Sequence, residues 1–155
     1  KNAVAHARFS KIGKERFIKK YHAIVHGNFE NDELTGLVDE PIGKIDSGVK
    51  RGVIPDGKSA QTEYKVLKQV SGASLVELRL LTGRTHQIRV HMAYLGHPLY
   101  GDQLYGIKDP FSRQALNCFY LSFPDPFNSE KNKTVEIPDP ADMQKLWQGL
   151  INKKF

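Results

Sequence analysis

The stretch Thr82-Gly83-Arg84-Thr85-His86-Gln87-Ile88-Arg89-Val90-His91 marks the point where one kind of secondary structure gives way to another. Residues 75–81 before it alternate between apolar and polar side chains, which predicts a strand. In residues 85–95 apolar side chains recur at helical spacing, which predicts a helix. Thr85 is placed to cap the start of that helix, and Gly96 is placed to end it.

The same stretch concentrates groups that bind anions. It holds two arginines, two histidines and a glutamine around a helix start. The free backbone amides of a first helical turn, with arginines beside them, suit a phosphate or a carboxylate. From the residues alone, an anion-binding helix start and an ordinary capped helix with solvent-facing charges both remain open.

Three histidines of this region raise the question of a metal site. His86 and His91 are five residues apart, so they do not share a helix face as ligands four residues apart would. Together with His97 they therefore do not form a recognisable ligand set, and no metal is expected.

The rest of the sequence predicts an α+β fold, with an antiparallel-rich mixed sheet and a few packed helices. Further strands are predicted over residues 16–26, 60–69, 118–123 and 132–137, and helices over residues 3–12 and from residue 140 onward. The last helix has Asp139 as its expected N-cap and Pro140 as its first residue. Its expected buried stripe consists of Met143, Leu146, Trp147 and Leu150.

Residues 28–58 show no clear period and contain five glycines and two prolines. They are predicted to form a long loop without regular structure, of the kind that is usually functional or mobile.

Composition limits the possible classes of protein. A chain of 155 residues is the size of one domain, taken here as residues 1–155. No apolar run is long enough to cross a bilayer, so no membrane partner is expected. The single cysteine, Cys118, cannot form an internal disulfide, and a cytoplasmic location is expected.

The net charge of +6 is unevenly distributed. Residues 1–27 hold seven basic groups and one acidic group, whereas the remaining residues are balanced. Such an asymmetry is typical of a contact with a polyanion, although a well-solvated helix and a lysine-guarded edge strand would give the same count.

Several segments, in order, resemble the RluA-type RNA pseudouridine synthases. Thr82–His91 is similar to that family's signature, and the other matching segments are Lys20–Gly27, Val38–Gly43, Gly57–Tyr64, Gly96–Asp102, Tyr105-Gly106, Leu121–Phe123, Pro126-Phe127 and Ile137-Pro138. Any one of these segments is weak, but their shared order is specific. The resemblance extends over nearly the whole chain.

The resemblance implies an isomerase that converts uridine to pseudouridine in ribosomal or transfer RNA without a cofactor. Tyr21 matches the tyrosine that stacks on the target base, and Arg89 matches the arginine that pairs with the catalytic aspartate. Arg84, Thr85, His86 and Gln87, with Lys19 and Lys20, are the expected RNA-binding residues. A flipped base needs an aromatic platform, and a carboxylate nucleophile needs a cation that keeps it ionised. Tyr21 and Arg89 should therefore lie within roughly 10 Å of each other, about the reach of one flipped nucleotide.

The aspartate of that family lies in a His-Arg-Leu-Asp segment, and no such segment occurs in these 155 residues. The resemblance therefore implies the carboxy-terminal part of a catalytic domain, inactive by itself. Asp39 and Asp102 match other segments and are not expected to be the nucleophile. Arg89 is expected to be partly exposed, paired with another acid or holding an anion. The alternative is a non-catalytic RNA-binding domain, and self-association through an exposed sheet edge is expected in either case.

Overall fold

The structure is a computed structural model that describes residue 13 and residues 16–153. The helix predicted over residues 3–12 lies outside the described residues.

A six-stranded antiparallel sheet forms the centre of the fold. Its strands are β1 (Ile18–His26), β2 (Thr35–Asp39), β5 (Gln61–Val70), β6 (Ala73–Leu80), β7 (Leu116–Asp125) and β8 (Asn128–Glu136), in the spatial order β2-β5-β6-β1-β7-β8. Every strand pairing in the described part is antiparallel, which confirms the predicted α+β class. A separate two-stranded sheet pairs β3 (Ile42–Lys44) with β4 (Arg51–Val53).

The prediction of a structureless loop over residues 28–58 is wrong, because β2, β3 and β4 lie within it. Its glycines are expected to be loop residues, but three of them, Gly36, Gly43 and Gly52, lie in strands where a side chain of another strand or loop packs. A Cβ at Gly36 would lie 2.7 Å from the Tyr64 ring, and a Cβ at Gly43 would collide with Ile54. Close packing, and not a turn, therefore explains these glycines.

Two helices cover opposite faces of the large sheet. Helix α1 (Gln87–Tyr94) packs Ile88 and Met92 against Ala23, Val25, Val76 and Leu78 of β1 and β6. Helix α2 (Ala141–Asn152) packs Met143 and Leu150 against Ile24 and Leu75 of the same strands. The predicted stripe of α2 is confirmed, since Leu146 and Trp147 pack against the same cluster.

Both helices begin later than predicted, and neither predicted cap is used. The N-cap of α1 is His86 rather than Thr85, and its backbone is left-handed with φ 57°. The N-cap of α2 is Pro140, because the Asp139 carboxylate instead binds His22 at 2.8 Å and Asn117 at 2.9 Å. A side chain engaged by another strand is not available to cap a helix.

The outer strands β2 and β8 each have a neighbour on only one side among the described residues. Self-association through such an edge stays a prediction. Within the same residues, no helix is long and apolar enough to cross a membrane.

Two glycines with left-handed backbones provide a matched test of packing at the loop that follows α1. Gly101 has φ 71°, and a Cβ there would collide with the Arg113 carbonyl, whereas Gly72 has φ 75° and open space around it. Gly72→Ala should reduce the free energy of unfolding by about 1 kcal/mol, and Gly101→Ala should reduce it by about 2–5 kcal/mol. Urea unfolding of both variants measures the difference, and equal losses would show that the collision is relieved.

Candidate active site

Gln87 is the residue around which the start of α1 is built. Its side-chain oxygen accepts hydrogen bonds from the Thr82 hydroxyl at 2.8 Å and the Arg84 backbone amide at 2.9 Å. Its side-chain nitrogen donates to the Gln61 carbonyl and to the Thr62 hydroxyl oxygen, both at 2.9 Å. Gln87 is buried, so its polar atoms are satisfied inside the protein and fix α1 to β5.

His91 extends this network by one helical turn. Its Nε2 lies 2.9 Å from the Glu40 carbonyl, which can only accept, so Nε2 carries the proton. Its Nδ1 lies 2.9 Å from the Thr62 hydroxyl and accepts from it. Burial lowers the pKa of His91, and this outweighs the opposing effect of its bond to Glu40. The imidazole is therefore neutral and fully hydrogen-bonded.

Arg89 forms a bidentate ion pair with Asp102, which lies in the loop after α1. Arg89 Nε donates to Asp102 Oδ2 at 2.7 Å, and Nη2 donates to Oδ1 at 2.8 Å. The Asp102 side chain has 0% exposure and that of Arg89 has 14%. The expectation that Arg89 pairs with another acid is confirmed.

Hydrogen bonding keeps this pair ionised despite its burial. Burial by itself would raise the pKa of Asp102, but the bonds from Arg89 and from the amides of Tyr105 and Leu104 hold it below its usual value. The bond to Asp102 raises the pKa of Arg89. Asp102 thus acts as a fixed counter-charge that sets the direction of the guanidinium.

The third guanidinium nitrogen of Arg89 is available to a ligand. No described residue accepts a hydrogen bond from Nη1, since the only acceptor of Arg89 there is Asp102. No buried side-chain nitrogen or oxygen in the described part lacks a partner, so Nη1 is reached by solvent. Arg89 can therefore hold Asp102 and donate to one further anionic or carbonyl oxygen.

Tyr21 lies on the same side of the sheet as α1. It packs against the core cluster that contains Ile88 and Met92 of that helix. Burial, together with Cys118 on the neighbouring strand, raises the pKa of Tyr21 to about 12. The phenol therefore stays protonated at neutral pH and can donate a hydrogen bond. Its predicted separation of roughly 10 Å from Arg89 stays a prediction.

The predicted RNA-binding residues occupy different surroundings. Arg84 and Thr85 are exposed beside the start of α1, and Arg84 Nε donates to the Ser59 carbonyl at 2.8 Å. Lys19 is exposed and, by strand alternation, shares the Tyr21 face of β1. Lys20 points to the other face, where it pairs with Glu77 at 3.3 Å.

The three histidines considered as metal ligands have separate partners. His86 Nδ1 lies 2.9 Å from the Tyr105 hydroxyl, whereas both nitrogens of His91 are used in the buried network. His97 Nδ1 donates to the His26 carbonyl at 3.0 Å and its ring stacks on Phe29. No group of three potential metal ligands occurs among the described residues.

Neither neighbour that holds Arg89 is predicted from the sequence. Asp102 is there part of a matching segment and excluded as the nucleophile, and Tyr105 is part of a motif. They lie 13 and 16 positions after Arg89, outside the helix, so helical periodicity does not connect them to it. The pattern Gly101-Asp102 was the available signal, because a buried arginine needs an acid in a nearby loop.

Comparison with protein families identifies relatives of this chain. The family model described as RNA pseudouridylate synthase matches residues 1–94. An uncharacterized RNA pseudouridine synthase of Bacillus subtilis, YjbO, is 45% identical over 152 residues, covering 96% of this chain and 53% of the relative. Ribosomal large subunit pseudouridine synthase D of Nitrosomonas europaea is 38% identical over 151 residues, covering 90% of this chain and 43% of the relative. The chain thus spans about half the length of the curated relatives it matches.

Solved structures show the same fold. Human RNA Pseudouridylate Synthase Domain Containing 1 matches with a TM-score of 0.72 at 27% identity, covering 97% of this chain and 71% of the other. Human RNA Pseudouridylate Synthase Domain Containing 4 also gives 0.72, at 22% identity, covering 94% of this chain and 65% of the other. The second likeness concerns the fold alone.

The neutral state of His91 gives a pH dependence of stability. Because its pKa is lowered in the folded state, the unfolded chain takes up a proton first as the pH falls below about 6.5. This contribution is fully present above that pH and is lost as the pH falls toward the folded-state pKa. His91→Gln retains a donor and an acceptor but cannot titrate.

Urea unfolding at pH 7, 6 and 5 should therefore show a steeper loss of stability for the wild-type chain than for His91→Gln. Parallel pH profiles for wild type and His91→Gln would contradict a neutral, buried His91.

Proposed function

This chain belongs to the RNA pseudouridylate synthase family, and we propose on that premise that the whole gene product isomerises uridine to pseudouridine in RNA. In this reaction the bond from the ribose carbon to uracil N1 breaks, and a bond from the same carbon to uracil C5 forms. Ribosomal RNA is the proposed substrate, with transfer RNA as the other candidate. The name of the Nitrosomonas europaea relative supports ribosomal RNA.

The observation that carries the proposal is the arrangement of Arg89. Its guanidinium is fixed by Asp102 and keeps Nη1 open to solvent. A carboxylate nucleophile placed against Nη1 would be held ionised and in one orientation. Asp102 has no such freedom, because its oxygens already bind Arg89 and two backbone amides. We therefore assign Asp102 the role of orienting Arg89. We place the nucleophile in the His-Arg-Leu-Asp segment, which does not occur in these residues.

Tyr21 supplies the second part of the proposed site. Its ring lies on the α1 side of the sheet, and its high pKa keeps the hydroxyl protonated. A flipped uracil can stack on the ring, while the hydroxyl can donate a proton during the rearrangement. No cofactor is needed for an isomerisation of this kind.

Substitution at Tyr21 separates the two roles. In the whole gene product, Tyr21→Phe retains the ring and should lower kcat for pseudouridine formation by about 10²-fold through loss of the proton donor. Tyr21→Leu also removes the stacking surface, worth about 1–3 kcal/mol per base, and should raise KM as well. Tyr94→Phe is the control, because Tyr94 is exposed and its hydroxyl contacts only Glu40.

The 155-residue polypeptide alone should form no pseudouridine in the same assay, because it holds no nucleophile. Product formation by this polypeptide would contradict the assignment of the nucleophile to the absent segment. A whole gene product that binds RNA but forms no pseudouridine would favour the alternative of a non-catalytic RNA-binding domain.

RNA binding should be weak and sensitive to salt for the 155 residues, because binding rests on the basic groups of residues 1–27 and on Arg84. With roughly three to five phosphates contacted, the log–log salt slope should be about −2 to −5. Arg84→Gln should bring the slope about one unit nearer to zero. Arg79→Gln is the charge-matched control, since Arg79 faces the α2 side of β6 and pairs with Glu63 at 3.3 Å.

Fluorescence anisotropy with a stem-loop RNA at several salt concentrations measures these slopes. Equal slopes for the two variants would remove Arg84 from the RNA contact, and absence of binding at low salt would remove the contact altogether.

A further inference from the structure

Tyr105 contacts Arg89 and its surroundings in three ways. Its ring lies beneath the Arg89 guanidinium, with 4.9 Å between Cζ and the ring centroid. Its backbone amide donates to Asp102 Oδ1 at 3.0 Å, the same oxygen that accepts from Arg89 Nη2. Its hydroxyl reaches the residue that precedes α1, His86. One residue thus contacts the arginine, its acid and the start of its helix.

The Tyr105 hydroxyl makes two hydrogen bonds. The backbone amide of Arg51 in β4 donates to the phenol oxygen at 2.8 Å. The hydroxyl also lies 2.9 Å from His86 Nδ1, and the phenol is the donor in the tautomer that carries the imidazole proton on Nε2. Burial, together with the charges of Arg89 and Arg51, lowers the pKa of His86 and favours the neutral imidazole.

His86 needs such a restraint because of its backbone. It is the only non-glycine residue with positive φ in the described part of the chain. A left-handed backbone is unfavourable for a residue with a Cβ and persists where its surroundings hold it. The hydroxyl of Tyr105 holds the His86 ring, and His86 determines where α1 begins, three residues before Arg89.

We propose that Tyr105 is a positioning residue that fixes the direction of the Arg89 guanidinium, so that Nη1 alone is presented to the nucleophilic carboxylate. The proposal rests on the proposed function and adds to it a residue that acts through another. The hydroxyl secures the helix start through His86, while the ring and the backbone amide secure the guanidinium and Asp102. The same hydroxyl also ties the β3–β4 hairpin to this site through the Arg51 amide.

Tyr105→Phe tests the hydroxyl while retaining the ring beneath Arg89 and the backbone amide on Asp102. In the whole gene product, kcat for pseudouridine formation should fall by about 10-fold to 10²-fold with KM changed less than about 2-fold, since a small misplacement of a catalytic group costs this much. Tyr94→Phe, which removes a hydroxyl from an exposed tyrosine of α1, should leave both constants unchanged.

A second readout follows Arg89 directly and does not depend on activity. In nitrogen-15 spectra of the whole gene product, assigned by the loss of one signal in Arg89→Lys, the Arg89 Nε proton should exchange slowly with water. Tyr105→Phe should speed that exchange by about 10-fold, because a loosened helix start opens the pair with Asp102 more often. Tyr94→Phe should not change it.

A double-substitution cycle tests the route through His86. His86→Asn tolerates the left-handed backbone but removes the imidazole. If Tyr105 acts through His86, Tyr105→Phe should add little to the loss in kcat or to the exchange rate once His86→Asn is present. Additive effects would overturn that route.

The outcomes separate this proposal from the proposed function. A wild-type gene product without pseudouridine synthase activity would overturn the function, and the exchange measurement would still decide whether Tyr105 positions Arg89. In an active enzyme, an unchanged kcat for Tyr105→Phe overturns the positioning role, as does an unchanged exchange rate of the Arg89 Nε proton.

Discussion

The buried ion pair between Arg89 and Asp102 is the interaction on which the rest of the site depends. Removing two charges from water is costly, and a pair of this kind stabilises little unless every remaining donor and acceptor is used. Here Asp102 accepts from two backbone amides as well as from Arg89. The loop after α1 is therefore folded around the carboxylate, and the helix is aligned with the loop through the arginine. The pair contributes a fixed direction more than it contributes stability.

The sequence allowed prediction of the elements whose pattern is local. Strand β1 and the β5–β6 hairpin follow from alternation, and the stripe of α2 follows from helical spacing. The strands within residues 28–58 were missed because they are three to five residues long and contain glycines. In such short strands the alternation is too brief to recognise, and the meaning of each glycine depends on a partner that is distant in sequence, such as Tyr64.

The residues of the candidate site likewise divide into those that the local sequence predicts and those that only folding brings together. Arg89 and Tyr21 were identified from motifs, since each lies in a recognisable segment of its own. The residues that hold Arg89 were not, because Asp102 and Tyr105 come from a loop that only folding brings against the helix. The prediction of the N-cap of α2 was wrong for a related reason. Asp139 has the right residue type and position to cap α2, but a strand histidine, His22, binds its carboxylate.

His86 before α1 and His91 within it are held in the same way, each as a neutral imidazole hydrogen-bonded to a hydroxyl group. Before the helix, the His86 ring is hydrogen-bonded to the Tyr105 hydroxyl; within it, His91 accepts a hydrogen bond from the Thr62 hydroxyl. Each hydroxyl oxygen also accepts from an amide. Burial disfavours the protonated imidazole at both positions. Neutral histidines therefore fix α1 from both sides without adding charge, which leaves Arg89 as the charged group that the helix carries into the site.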